Sequence, residues 1–287
     1  MPTLYVVATP IGNLSDFSPR AIETLNSVSL IAAEDTSHTI KLLNYFNIKT
    51  PMISYHKYNE AERSETIISK MLNDNIDAAI VTDAGTPCIS DPGYDLISAA
   101  RQNGINVIGI PGACAAITAL SISGFPSDTF AFIGFLNRDK NEQTKQLAKI
   151  NELDIETFII YESPFRILNT LKNIQSVIEC DVCVCNDITK LHETSISGEI
   201  SSVTEALSEN PNVEKGEYVI ILHKHPREST KENKDNISVE AMLTDIMIKN
   251  QCTLKDAVST LHKSGTLLSK KEIYSASLNL KNMFSAE

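Results

Sequence analysis

The stretch AAIVTDAGTP at residues 78–87 joins an apolar run of strand length to a turn rich in glycine and proline. Glycine lets a backbone approach a ligand closely, and proline restricts the shape of the turn. The same combination occurs in LYVVATPIGN at residues 4–13 and in INVIGIPGACA at residues 105–115. Three such turns at one edge of a sheet predict a cleft lined with backbone amides, although each alone is also typical of a simple strand-to-helix connection.

Across residues 1–123, short apolar runs alternate with helical patterns, which is the rhythm of a parallel α/β sheet. Ser18-Pro19 predicts the start of the first helix, and Asn103-Gly104 predicts the end of the helix before the run at residues 105–110. In open α/β sheets, ligands bind outside the carboxyl ends of the strands. The three turns are therefore expected to form the functional edge of an N-terminal α/β domain.

Longer strand-like runs follow, and they predict a second α+β domain over residues 124–226. The predicted strands lie at residues 129–135, 157–161, 182–185 and 217–222, and the predicted helices lie at residues 142–153 and 165–178.

The third predicted region, residues 227–287, combines a linker with a small helical module. Residues 223–236 are polar and lack apolar periodicity, which is typical of a linker. Three helical patterns begin near Ile237, Thr253 and Ser269; the last two carry capping boxes, and Ser264-Gly265 separates them. This pattern resembles a helix-turn-helix module, and a helical appendage used for packing or dimerisation fits nearly as well.

The charge of the chain limits its nucleic-acid contacts. The net charge of -11 over 287 residues argues against indiscriminate polyanion binding, because phosphate contacts come from clustered Lys and Arg. From Lys224 onward, ten Lys and Arg stand against eight Asp and Glu, so contacts outside the cleft are expected to favour this tail. No apolar run reaches the roughly 18 residues of a membrane span, and no leader pattern opens the sequence. We therefore expect a cytoplasmic protein without membrane association.

Motif spacing argues against several other sites. The sequence has neither the G-x-x-x-x-G-K-[ST] phosphate loop nor a G-x-G-x-x-G after its first strand. Cys180, Cys183 and Cys185 fit a buried strand, and no second pair follows at zinc spacing. No metal site is assigned, and a ligand with little anionic charge fits the cleft better.

Carboxylates also gather at the predicted strand ends, at Glu34, Asp83, Asp91 and Glu162. Such groups act as bases or position a hydroxyl, but they also cap helices. A functional role is favoured for Glu34, and helix capping is favoured for Asp91 in the SDPG sequence at residues 90–93.

Six short motifs occur in a fixed order along the chain. They are LYVVATPIGN at 4–13, AEDT at 33–36, DAGTP at 83–87, SDPG at 90–93, ESP at 162–164 and TK at 189–190. Together they resemble the 2′-O-ribose methyltransferases of 16S ribosomal RNA within the tetrapyrrole methylase superfamily, over residues 3–224. The resemblance implies an α/β fold: two α/β domains with an S-adenosyl-L-methionine cleft between them, and a C-terminal helical module. It also implies a homodimeric enzyme that methylates a cytidine in the decoding region of 16S rRNA, with that RNA or the small ribosomal subunit as its partner.

The resemblance and the chemistry of methyl transfer together assign roles to individual residues. A ribose hydroxyl needs a base, or a cation that stabilises the developing oxyanion. Lys190 is the candidate for the cation, or for the base if burial lowers its pKa, with Glu34 or Glu162 orienting the ribose. Asn13, Asp35 and Arg166 are predicted to contact the substrate. The predicted cofactor-binding residues are Pro10, Asp83, Gly85, Thr86, Ile89, Cys114, Ala115 and Tyr161.

Some positions depart from the family pattern. Ser37 stands where arginine is usual, Phe165 where histidine is usual, and Asn186 opens a run that normally begins with arginine; Ala113-Cys114 replaces Pro-Ser. Losing cations from an RNA-facing cleft weakens the RNA assignment more than the cofactor assignment. Two alternatives therefore stay open: a methylase acting on carbon of a tetrapyrrole, and a non-catalytic RNA-binding or assembly protein that retains the fold.

Overall fold

The computed structural model describes residues 1–225, 238–263 and 268–284. The chain forms two compact units, Met1–His225 and Pro226–Glu287. The first unit contains both β-sheets, and the second contains three helices. The predicted domain boundary between residues 123 and 124 falls between the two sheets, and the division into separate domains stays a prediction.

The first sheet is parallel, with strand order β3-β2-β4-β1-β5. Its strands are β1 (Thr3–Val7), β2 (Leu30–Ala33), β3 (Met52–Ser54), β4 (Ala78–Val81) and β5 (Asn106–Ile110). The helices of this half are α1 (Pro19–Ser27), α2 (Thr36–Tyr45), α3 (Glu60–Asp74), α4 (Tyr94–Gln102) and α5 (Ala115–Ser123). All residues of β2 and β4 are buried, as expected for inner strands covered on both faces.

Two predicted helix boundaries in this half are confirmed. The Ser18 hydroxyl accepts a hydrogen bond from the Ala21 amide and caps α1, with Pro19 as its first residue. Asn103 ends α4, and Gly104 follows it with a φ of +72°, a left-handed conformation that glycine adopts without strain.

The second sheet is mixed, with strand order β6-β7-β10-β8-β9. Among its described strand pairs, only β6 and β7 run in parallel. Its strands are β6 (Phe130–Phe135), β7 (Thr157–Glu162), β8 (Cys180–Asn186), β9 (Thr194–Glu199) and β10 (Tyr218–Lys224), and its helices are α6 (Lys140–Glu152), α7 (Ile167–Gln175) and α8 (Ile200–Ser208). The three cysteines of β8 are buried, which confirms the strand interpretation of that cluster.

The second unit has a small core of its own around Leu243, Leu261 and Ile273. Its helices are α9 (Val239–Asn250), α10 (Leu254–Lys263) and α11 (Lys270–Phe284). The capping box before α11 is complete, because the Ser269 amide donates to Glu272 and the Glu272 amide donates to Ser269. Most of the predicted linker and the Ser264-Gly265 break lie outside the described residues. Within the described ranges, no helix is both long and apolar enough to cross a bilayer.

Candidate functional site

A cavity of about 470 Å³ is lined by residues from both sheets. The turns after β4 and β5 contribute one side, and β7, β10 and the turn after β7 contribute the other. Seven of the eight residues predicted to bind the cofactor line it: Asp83, Gly85, Thr86, Ile89, Cys114, Ala115 and Tyr161. The eighth, Pro10, lines an adjoining cavity.

Hydrogen bonds hold the three Gly/Pro turns together. Thr9 and Gly85 form an isolated antiparallel bridge, in which the Thr9 amide donates to the Gly85 carbonyl at 2.8 Å. Gly85 has a φ of +87°, so the turn after β4 depends on a residue without a Cβ. The Thr86 hydroxyl donates to the Ala113 carbonyl at 3.2 Å and links this turn to the one after β5.

Tyr161, on β7 of the second sheet, forms a hydrogen bond to α5, which follows the last strand of the first sheet. Its hydroxyl accepts a hydrogen bond of 3.1 Å from the Ala116 amide, in the first turn of α5. Its ring packs edge-on against Phe132 and Phe135. Burial raises the pKa of Tyr161 to about 12, so the hydroxyl stays protonated at neutral pH.

Glu34 and Asp83 organise the carboxyl edge of the first sheet. Glu34 Oε2 accepts a 2.6 Å hydrogen bond from the Thr82 hydroxyl, and Asp83 Oδ1 accepts from the Asp35 amide at 3.1 Å. Burial raises the pKa of Asp83 above its ordinary value, although the bond from Asp35 opposes the shift. Glu34 therefore supports the loop that carries Asp83, and both carboxylates face the first cavity.

The expectation that Asp91 caps a helix is wrong. The N-cap of α4 is Gly93, which has no side chain to cap with, and Asp91 lines the first cavity instead. The chain turns back here because Cys88 and Ser90 both adopt left-handed conformations, with φ of 71° and 69°. Burial, strengthened by the charge of Glu34, raises the pKa of Asp91 to about 7. Asp91 therefore belongs to the candidate site, although its local sequence favoured helix capping.

Glu162 is held by three hydrogen bonds at the end of β7. Its side chain is fully buried and accepts from the Arg166 guanidinium at 2.8 Å, the Thr170 hydroxyl at 2.6 Å and the Ser163 amide at 2.7 Å. Arg166 also donates to the Leu136 carbonyl. This network fixes the end of β7 beside the cavity. The predicted contacts of Glu162 and Arg166 with substrate stay predictions.

A second cavity of about 540 Å³ adjoins the first and shares Ile11, Asp83, Ala84 and Glu217 with it. Its remaining lining comes from the turn after β1, from one face of α2, from Thr82 after β4 and from Lys190. These residues are Pro10, Gly12, Leu14, His38, Thr39, Lys41, Leu42, Tyr45, Thr82 and Lys190.

Lys190 is held by two carboxylates. Its Nζ donates to Asp187 at 2.7 Å and to Glu217 at 2.9 Å. Partial burial acts to lower the pKa of Lys190, but these hydrogen bonds outweigh it and the net shift is upward. The condition for Lys190 to act as a base, a pKa lowered by burial, is therefore not met. At neutral pH the side chain is a cation.

The backbone around Lys190 is strained and closely packed. Asp187 and Thr189 adopt left-handed conformations with φ of 50° and 70°, which cost energy for residues other than glycine. The hydroxyls of Thr189 and of Thr39 are buried without a hydrogen-bond partner among the described residues. Buried hydroxyls are normally paired, so these two are exceptions, and Thr39 is the one that belongs to the lining of the second cavity.

Two predicted substrate contacts have local structural roles. Asn13 Oδ1 accepts from the Ser15 amide, and Asp35 caps α2 by accepting from the Ser37 and His38 amides. Neither side chain lines the two cavities described above. Sequence analysis also missed Glu217, Lys41 and Tyr45, for which no local motif exists. Among the described residues, no three His, Cys, Asp or Glu side chains are placed to hold a metal ion.

Comparison with known proteins identifies the family. The family model for Tetrapyrrole (Corrin/Porphyrin) Methylases matches residues 3–204. Ribosomal RNA small subunit methyltransferase I from Haemophilus influenzae is 43% identical over 258 residues, covering 89% of each chain. The protein of the same name from Synechocystis is 42% identical over 287 residues, covering 98% of this chain and 99% of the relative. The chain belongs to the ribosomal RNA small subunit methyltransferase I family of tetrapyrrole methylases.

Solved structures of other methyltransferases share the fold of this chain. The methyltransferase CobJ superposes with a TM-score of 0.56 at 15% identity, covering 78% of this chain and 95% of that one. Uroporphyrin-III C-methyl transferase from Thermus thermophilus, in complex with S-adenyl homocysteine, superposes with a TM-score of 0.53 at 13% identity. The match covers 78% of this chain and 97% of that one. The resemblance drawn from the ordered motifs is thereby confirmed at the level of family and fold.

Proposed function

We propose that this protein transfers a methyl group from S-adenosyl-L-methionine to the ribose 2′-hydroxyl of a cytidine in the decoding region of 16S ribosomal RNA. The relatives at about 40% identity carry the name ribosomal RNA small subunit methyltransferase I, which supports the RNA substrate. One structural observation supports the proposed methyl transfer. Two cavities share Asp83 and Glu217, and the Lys190 cation, which pairs with Glu217, lines the second cavity.

The residues of the first cavity fit S-adenosylmethionine. Apolar side chains such as Ile89 and Phe135 suit an adenine ring, and the backbone turn around Gly85 permits close approach. Carboxylates at Asp83 and Asp91 suit the cationic groups of the molecule. A solved member of the fold is described in complex with S-adenyl homocysteine, which is in line with this assignment. When bound, the cofactor supplies an electrophilic methyl group on a sulfonium.

The second cavity is the proposed site of the acceptor nucleotide. Its lining offers the cations of Lys41 and Lys190, the buried hydroxyl of Thr39 and the ring of Tyr45. Tyr45 is 65% exposed and therefore available to stack on a base. These groups match the ribose, phosphate and base of one nucleotide.

The protein's own residues then manage the hydroxyl proton and the charge on oxygen. Asp83 lines both cavities, and its Oδ2 is the proposed acceptor of the 2′-hydroxyl proton. A carboxyl with a raised pKa is a better base than an ordinary one. The Lys190 ammonium stabilises the developing oxyanion, while Asp187 and Glu217 hold it in place. Glu34 orients the loop of Asp83 through Thr82.

The two alternatives differ in measurable ways. A tetrapyrrole C-methylase would use the same first cavity, and the structural neighbours of that class named above reach only 13 to 15% identity, against about 40% for the ribosomal RNA enzymes. A non-catalytic assembly protein would not bind the cofactor at all. The proposal also includes a homodimer in the cytoplasm that acts on small-subunit RNA.

Mapping of ribose methylation on 16S RNA tests the function. Cells that lack the gene should lose one 2′-O-methyl group in the decoding region, and the intact gene should restore it. The Lys190→Met variant should fail to restore it while still binding S-adenosylmethionine by calorimetry. An identical methylation map with and without the gene would reject the RNA assignment, and absence of a calorimetric signal from the intact protein would favour the non-catalytic alternative.

A further inference from the structure

A third cavity, of about 380 Å³, lies between α6 and α7 and is lined only by basic and neutral polar residues. Four cations line it: Arg138, Lys140, Arg166 and Lys172. The lining contains no carboxylate, although Asp and Glu outnumber Lys and Arg by 36 to 25 in the whole chain. A concentration of positive charge of this kind in an acidic protein indicates a site for an anion.

Three of these cations are available to a ligand. Arg138, Lys140 and Lys172 are exposed, and within the described part of the chain none lies within 4 Å of a carboxylate oxygen. The neighbouring Asp139 accepts hydrogen bonds from two amides at the start of α6. Lys145 on the same helix differs, because it pairs with Glu142 and lies outside the cavity lining.

The floor of the cavity is a buried polar network that leads to the first cavity. Asn173 donates to Gln143 at 2.6 Å, Gln143 contacts Thr170, and Thr170 donates to Glu162 at 2.6 Å. Glu162 lines the first cavity and pairs with Arg166, which lines the third. The basic cavity is thus separated from the cofactor site by a single ion pair of 2.8 Å.

We propose that this basic cavity binds phosphate groups of the RNA substrate next to the methylated nucleotide. The inference rests on the proposed RNA substrate and adds the place where the RNA backbone is held. The first cavity carries the carboxylates of Glu34, Asp83 and Asp91, which repel phosphates, so the backbone needs a cationic surface beyond it. Arg and Lys with neutral amide and hydroxyl neighbours are the usual partners of phosphate oxygens.

The test is a triple variant, Arg138→Gln, Lys140→Gln and Lys172→Gln, compared with a matched triple variant, Lys70→Gln, Lys145→Gln and Lys149→Gln. Both remove three positive charges, but the second set lies outside the cavity. Arg166 is left in place because it pairs with buried Glu162. Binding of 16S RNA and of isolated small subunits is measured over a range of salt concentrations, beside S-adenosylmethionine binding by calorimetry.

The cavity variant should bind about tenfold or more weakly to whichever of 16S RNA and the small subunit the unmodified protein binds more tightly. The magnitude of the slope of log affinity against log salt should fall by about 2 to 3, since three phosphate contacts are lost and each contributes about 0.7 to 0.9. Its cofactor affinity should be unchanged, and the control variant should bind RNA like the unmodified protein. Equal RNA affinity and salt slope in the two triple variants would overturn the site. If the unmodified protein binds RNA but transfers no methyl group, the proposed function fails while the phosphate site is still decided by the slopes.

Discussion

The side chain of Lys190 passes through the space that a side chain at Gly12 would occupy. A Cβ built on Gly12 would meet Lys190 Cγ at 2.5 Å and the Thr189 hydroxyl at 2.9 Å. The turn after β1 and the loop after β8 therefore touch only because residue 12 is glycine. The position of the Lys190 cation depends on that absence of a side chain.

Substitution Gly12→Ala should displace Lys190 and slow methyl transfer. A shift of about 1 Å in a catalytic group costs up to about 100-fold in rate, so kcat should fall by about that factor. The affinity for S-adenosylmethionine should change little. Gly109→Ala is the control, because a Cβ there meets nothing within 4 Å. Equal kcat values for the two variants in single-turnover assays would contradict the packing argument.

Removal of the cation itself should have a larger effect. Lys190→Met is expected to lower kcat by about 10²- to 10³-fold, the usual cost of losing one group that stabilises an oxyanion. Because the pKa of Lys190 is raised, its deprotonation should not limit activity of the unmodified enzyme in mildly alkaline buffer. Lys70→Met, in an exposed pair with Asp74, serves as the control. Full turnover by the Lys190→Met variant would exclude the role.

Asp91 should make the stability of the protein depend on pH. Its pKa is about 7 in the folded state against an ordinary 3.8, so the folded chain binds more protons between these values. The free energy of unfolding therefore falls as pH rises from about 4 to about 7. Asp91→Asn removes this loss of stability. The variant should therefore gain more stability relative to the unmodified chain at pH 8 than at about pH 5.

Denaturant unfolding at the two pH values measures this difference, and Asp128→Asn, at an exposed loop position, is the control. A stability difference between Asp91→Asn and the unmodified protein that is the same at both pH values would contradict a raised pKa.

Glu162 should contribute strongly to stability. Glu162→Gln removes a fully buried charge that accepts three hydrogen bonds and leaves Arg166 without its ion-pair partner. The expected loss is about 2 kcal/mol, since hydrogen bonds to charged groups contribute about 1.5 to 3 kcal/mol. Glu142→Gln breaks an exposed ion pair with Lys145 and should cost less than about 1 kcal/mol. Comparable losses for both variants in denaturant titrations would show that burial does not set the strength of this pair.

The fold was predictable where its signals are local. Ser18-Pro19 and Asn103-Gly104 mark helix ends because capping and left-handed turns depend on neighbouring residues only. The strand β9 escaped prediction because its polar sequence, TSISGE, has a single large apolar residue, Ile196, and it forms through pairing with β8. The strand β3 has only three residues, too few for a periodicity to be detected.

For the site, local patterns found the turns but not the partners of individual side chains. Asp91 has the sequence context of a helix cap, and two left-handed residues before it turn its side chain into the cavity. Lys190 and Glu217 are separated by 27 residues, and their ion pair exists because β8 and β10 lie side by side.

The sequence by itself determined the family, the alternation of strands and helices, and the three Gly/Pro turns, because these depend on residue type, periodicity and short-range geometry. Only the tertiary structure decided the protonation of Asp91, the cationic state of Lys190 and the adjacency of the three cavities. Those properties depend on burial and on charges brought together from distant segments, and neither is encoded in any short stretch of the chain.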